Sequence, residues 1–193
     1  MKRFKVLVCL IMVNVPAFAE GISRQAGDRS LNFSFSDFAV EDYKYGIGGK
    51  YWLSSNSAVT ASVNVRKSKQ ETETTTIGPP VTDSSDSESY GFTVGIENHF
   101  HSKTDLSPYV GGEVLYMNNE LEVAGSNLTG KTWGVNVILG AEYAFSDSIA
   151  LAAEYAYGYS RQDNETTSSS GKSSTTSEGF YLNSSKLILL LYF

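Results

Sequence analysis

Seven charged residues sit where strand alternation would turn them to a common side: Lys50, Arg66, Glu97, Glu113, Glu142, Glu154 and Lys186. Their available chemistry is ion pairing, proton exchange, or acid–base work between carboxylates. A second group, His99-Phe100-His101-Ser102, sets an imidazole beside a hydroxyl, as a nucleophile and its base require. No third orienting group is evident for it, and the ordinary polarity of a turn accounts for the same residues. The glutamates are dispersed over separate segments and outline no substrate pocket. Neither metal-ligand spacing nor a Gly-rich phosphate loop occurs, so no catalytic residue, cofactor or metal is expected.

The period of the chain shows what could position those charges. Apolar residues recur at every second position, the signature of strands. Strands are expected near 30–38, 44–54, 58–68, 88–100, 108–118, 130–145, 149–161 and 181–193. Each has about the 9–11 residues a tilted strand needs to cross a bilayer, a few overshooting. One face carries Tyr45, Ile47, Tyr51 and Leu53, then Val59, Val63 and Val65, then Tyr90, Phe92, Val94 and Ile96. It continues through Trp133, Val135, Val137 and Leu139. The alternate positions hold Gly46, Gly48 and Lys50; Thr60, Ser62, Asn64 and Arg66; Gly91, Thr93, Gly95 and Glu97. Trp52 and Ile138 break the rule by falling among this polar set. A soluble barrel keeps its apolar face inside; a polar lumen with an apolar exterior suits lipid. The expected fold is all-β, an eight-stranded antiparallel up-and-down transmembrane β-barrel. Its lumen is just wide enough for side chains to fill, so charges within it must pair or stay hydrated.

The two ends of the sequence agree. Lys2, Arg3 and Lys5 precede a short apolar run, and Ala17-Phe18-Ala19 has the form of a cleavage site. Residues 1–19 therefore read as a cleavable signal peptide and 20–193 as the barrel. The lone Cys9 leaves with the leader, and so do three of the 15 basic residues. Against 21 acidic side chains the remainder is strongly acidic, which disfavours nucleic-acid binding. No later segment approaches the ~18 consecutive apolar residues of a membrane helix. Outward aromatics gather toward the strand ends in two groups, as the headgroup regions of a bilayer select. Tyr45, Tyr90, Trp133 and Tyr157 form one group; Tyr143, Phe145 and Phe193 belong to the other.

The last strand, with Leu187, Leu189, Leu191 and a terminal Phe193 on one face, resembles the assembly signal of bacterial outer-membrane barrels. The hairpin from Leu139 to Tyr159, centred on Ala144-Phe145-Ser146-Asp147-Ser148-Ile149, is similar to the last periplasmic hairpin of small OmpA/OmpX-like barrels. The rest of the chain matches that family in pattern only. The resemblance implies an outer-membrane protein with both termini in the periplasm, its partners set by that location rather than by any motif. It implies insertion by the barrel assembly machinery and contact with outer-membrane lipid and lipopolysaccharide, as a monomer. The sequence stops with the barrel, so the peptidoglycan-binding domain of full OmpA-type proteins, and tethering to the cell wall, are not expected.

The connections carry the rest. Ser54–Ser57, His101–Ser107 and Ser146–Ser148 are short, whereas Gln70–Asp86, Asn119–Thr129 and Gln162–Gly179 are long. The first and last of these are acidic and Ser/Thr-rich, with Ile77 and Val81 the apolar residues of the first, so mobile extracellular loops are expected there. Their Thr-rich stretches are candidates for hairpins that prolong the barrel strands. The expected function is structural or surface-interactive: envelope integrity, adhesion or resistance, with any surface partner held by the loops. Two alternatives stand beside it, a lipid A-modifying enzyme and a narrow gated ion channel through the charged lumen.

Overall fold

The computed structural model describes residues 24–39, 42–74, 81–100, 105–123, 126–168 and 171–193. The expected leader and the pair His101–Ser102 lie outside the described residues. Eight strands follow in order: β1 (Arg29–Ala39), β2 (Asp42–Trp52), β3 (Ser57–Thr74), β4 (Val81–His99), β5 (Leu106–Val123), β6 (Ser126–Ser146), β7 (Ile149–Ser168) and β8 (Gly171–Tyr192). Each pairs antiparallel with its sequence neighbours, and β1 closes the barrel on β8 from Ser30↔Tyr192 to Ser36↔Lys186. Closure matters because a strand edge left open in hydrocarbon would strand its backbone donors and acceptors without water.

Alternation sorts the side chains as a lipid-facing barrel requires. Ile47, Val63, Phe92, Val94, Val135, Val137 and Leu139 are exposed on the outer wall. Lys50, Asn64, Glu97, Asn136, Glu142 and Glu154 are buried within it. Trp52 and Ile138, the two exceptions to the polar pattern, are among the most buried side chains. They help form an apolar floor with Tyr109, Leu190, Tyr192 and the small residues Ala58, Ala150, Ala152 and Ala156. Small residues on β7 leave room for the large rings opposite, which is how a narrow barrel fills its interior.

Strand lengths depart from the sequence expectation. β1 and β2 have 11 residues each, but β3 to β8 run from 18 to 22. Residues expected in mobile loops are paired, as the hairpin candidates in their Thr-rich stretches anticipated. The β3–β4 ladder continues to Thr74↔Val81, β5–β6 to Val123↔Ser126, and β7–β8 to Ser168↔Gly171. The ladder is made by the backbone, so Ser- and Thr-rich segments with no apolar face can still prolong it, and β-branched Thr suits the extended chain. The prolongation is one-sided. β2 pairs with β3 only as far as Asp42↔Ser68, and from Ser185 back to Gly171 strand β8 pairs with β7 alone. Among the described residues, a wall made of β3 to β8 therefore rises above the short β1–β2 hairpin.

A register shift between Ala156 and Tyr157 on the β7–β8 pair inserts one extra residue in β8, since Ala156 faces Ser184 and Tyr157 faces Leu182. The bulge flips the phase of the strand beyond it. Phe180 then lies outside, with its ring 5.6 Å from that of Tyr159 and 6.4 Å from that of Tyr157.

Candidate functional site

The lumen charges gather in two layers, each built round one lysine. In the layer nearer the short turns, Lys50 Nζ lies 2.7 Å from Glu97 and 2.9 Å from Glu142. Tyr192 donates its hydroxyl to the other oxygen of Glu142 at 2.8 Å. In the second layer Lys186 Nζ lies 2.9 Å from Glu113 and 2.8 Å from Glu154, while the Asn136 amide donates to Glu113 at 2.8 Å. The phenol of Tyr109 joins the layers by donating to Glu154 at 3.3 Å, its ring stacked 4.7 Å from that of His99. Each lysine thus bridges two carboxylates contributed by different strands. Buried charges in such a network cross-brace the wall, and removing one partner costs far more than the pair contributes net.

Arg24 is a member of the floor that alternation could not reveal, because it precedes β1. Its guanidinium lies 3.4 Å from the centre of the Tyr192 ring, donates to the Asp147 carbonyl at 2.8 Å, and approaches Glu142 to 4.0 Å. It caps the turn end of the lumen through a cation–π contact and a backbone anchor.

His99 corrects the sequence reading. Its neighbours place it at a polar turn, but it ends β4 with its ring inside the barrel and 1% exposed. The reason is phase: two residues after Glu97, it shares that residue's lumen face. Its Nε2 lies 3.0 Å from Glu97 and its Nδ1 3.0 Å from the Ser107 hydroxyl, with the Trp52 ring 4.5 Å away. The imidazole therefore has both a hydroxyl and a carboxylate, the third group missing from the sequence motif. The order Ser107–His99–Glu97 has the composition of a nucleophile relay. Trp52 and Tyr109 enclose the ring, however, and Glu97 is also bound to Lys50. With rings on two sides and its own surface buried, the imidazole is shielded from a reacting ester.

Close packing around Tyr109 gives a direct test. A Cβ on Gly140 would overlap the Tyr109 ring. Gly140→Val is expected to displace the ring, break its link to Glu154 and lower stability by about 1–3 kcal/mol. Urea unfolding of the refolded barrel in lipid vesicles measures it.

Arg66 stands apart from both layers. It lines the widening lumen above them, beside its β2 register partner Lys44. Over the plug this vestibule has a volume of about 490 Å³ and is open at the long-hairpin end. Below it, the space between the layers is about 50 Å³. The interface aromatics named from sequence, Tyr45, Tyr90, Trp133, Tyr143, Phe145, Tyr157 and Phe193, all present exposed rings on the outer wall. Leu189 and Leu191 are half-buried on the same face as Phe193, opposite Phe33 and Leu31 of β1.

A closed eight-stranded barrel with a charged lumen and an apolar, aromatic-fringed exterior defines an outer-membrane β-barrel protein. The pattern of the outer membrane protein beta-barrel domain matches residues 6–177, and the chain belongs to that family, whose place is the bacterial outer membrane. Among solved structures it is similar to the outer membrane protein AlkL, determined by solid-state NMR in DMPC lipid bilayers. The TM-score is 0.57 at 18% identity, covering 94% of this chain and 97% of AlkL. It is also similar to a major outer membrane protein of Thermus thermophilus, with a TM-score of 0.54 at 11% identity, covering 88% of this chain and all of that one, 100%. At these identities the likeness is one of fold. No curated protein matches the sequence.

Proposed function

We propose that this barrel is a structural, surface-presenting protein of the outer membrane, acting through its long acidic Ser/Thr-rich hairpins rather than through catalysis or transport. The observation that carries the reading is the one-sided wall of β3 to β8, which continues well beyond the span of a bilayer and leaves residues 171–178 exposed. In this reading both termini face the periplasm and the hairpins face outward. Leu189, Leu191 and Phe193 present the assembly machinery with its signal, lipopolysaccharide surrounds the outward rings, and the protein works as a monomer. The edge that β8 presents beyond the end of β1 supports recognition, because the backbone of a strand edge can accept a strand from a partner.

A second reading, a narrow ion route, draws on Lys50: a lysine shared by two carboxylates could exchange partners. The tight space between the layers weighs against it. A lipid A-modifying activity has less support, since the imidazole is enclosed at the end that this orientation places in the periplasm.

The test compares adhesion and autoaggregation of cells displaying the intact barrel with cells displaying one whose residues 72–86 and 164–178 are replaced by tight turns. With equal surface levels, binding is expected to fall severalfold in the trimmed form. Undiminished binding would move the function back to the barrel itself.

A further inference from the structure

The vestibule above the plug has two unlike walls. Along β5 the inward positions after Glu113 are Leu115, Met117, Asn119 and Leu121; Asn119 donates to Thr132, and Leu121 pairs in register with Leu128 of β6. The four apolar side chains line the cavity, and Leu115, Met117 and Leu121 are only half-buried. They stand out because the other inward positions around the cavity are polar, among them Asn64, Ser89, Thr93, Thr132 and Gln162. On β2 and β3 the cavity is lined by the register partners Lys44 and Arg66. Lys186 reaches it from the floor, where Glu113 is its partner.

An apolar stripe turned toward an open, charged lumen has no structural necessity. The barrel does not need it for lipid contact, which the outer wall supplies, nor for the floor, which lies below. The stripe is also kept low. A Cβ on Gly91 would overlap the Tyr116 carbonyl oxygen and meet Met117 Cγ at 2.7 Å, so β4 carries no side chain where Met117 lies against it. A volume of about 490 Å³ is within the range of ~300–1,000 Å³ that holds small organic ligands.

We infer that the vestibule is a binding site for a single-chain amphiphile with an anionic head, a medium-chain fatty carboxylate, whose tail lies along Leu115, Met117, Leu121 and Leu128 while Lys44 and Arg66 hold the head. The guanidinium of Arg66 suits a carboxylate because its planar fork can donate to both oxygens. The tail gains by leaving water for the stripe, and the stripe gains by being covered. Entry is from the hairpin end, since the two lysine layers close the other.

The experiment measures calorimetric binding of decanoate to the barrel in phosphatidylcholine nanodiscs, with protein-free nanodiscs subtracting partition into lipid. Decanol, decyltrimethylammonium and acetate serve as comparison probes. Decanoate is expected to bind at one site per barrel, at least about tenfold more tightly than any of the three, the scale of one lost charge-assisted contact. The double variant Lys44→Gln/Arg66→Gln should remove that advantage over decanol. The double variant Leu115→Asn/Met117→Gln should weaken decanoate while leaving acetate unchanged, and Leu121→Asn, nearer the mouth, should do so with less risk to folding. Resistance of the folded band to SDS at room temperature checks each variant. Decanoate uptake equal to that of protein-free nanodiscs overturns the inference. So does equal binding of decanol, or of acetate, or decanoate binding unchanged in folded variants of either wall.

Discussion

Lys50→Met is expected to destabilise the barrel by about 3–5 kcal/mol, the cost of removing one partner from a buried ionic cluster. Methionine keeps most of the aliphatic stem, so lost packing contributes little and the effect reports the charge. Two carboxylates that were 2.7 and 2.9 Å from the ammonium are left in a sealed layer. Glu142 retains Tyr192 and the more distant Arg24, and Glu97 retains His99, so neither loses every partner. The charge imbalance nevertheless remains buried. Urea unfolding in lipid vesicles measures the loss. The triple variant Lys50→Met/Glu97→Gln/Glu142→Gln should recover most of it, because an apolar or neutral layer of similar volume needs no counter-ion. Wild-type stability in the single variant would mean that water reaches the layer and screens it.

A comparably large effect is expected on the opposite face. Val137→Arg should cost about 2–4 kcal/mol in a bilayer, the penalty for a cation on the lipid side near the midplane. Val137 is 57% exposed and lies on β6 between Trp133 at one aromatic fringe and Tyr143 and Phe145 at the other. The same substitution at Glu120, exposed on the long-hairpin end of β5, should change stability by no more than about 0.5 kcal/mol, as on any hydrated surface. An equal, small effect at both positions would mean that the outer wall faces water, and the membrane reading would fail.

The fold was legible because a strand has only two phases. Once Val135, Val137 and Leu139 face out, Asn136 and Ile138 must face in, and eight such segments with short and long links in turn leave few arrangements other than a closed barrel. The same alternation brought Lys50, Glu97, Glu142, Glu113, Glu154 and Lys186 to one side. It could not tell which lysine meets which glutamate, since that depends on stagger between strands far apart in sequence. Arg24 was hidden because it precedes the first strand and belongs to no alternating run. His99 could have been found by continuing the phase of Glu97 two residues further, but its polar neighbours suggested a turn. Leu115 and Met117 were equally within reach, as apolar residues in the phase of Glu113. The extended hairpins were visible only as candidates, from their Thr content, and their register was not. Their pairing is backbone to backbone, and a run such as Ser173-Ser174-Thr175-Thr176 carries no difference between faces from which to read it.

If the two lysine layers shut the lumen, the work falls to the outer surface and the hairpins. Conductance of the purified barrel in planar lipid bilayers is the decisive measurement. Folded wild-type protein is expected to pass no steady ionic current at moderate voltage, because Lys50 and Lys186 are each held between two carboxylates above the floor of Trp52, Tyr109 and Tyr192. A steady single-channel current from folded wild-type barrels, altered in Glu142→Gln or Arg66→Ala, would contradict this and make the lumen the functional site.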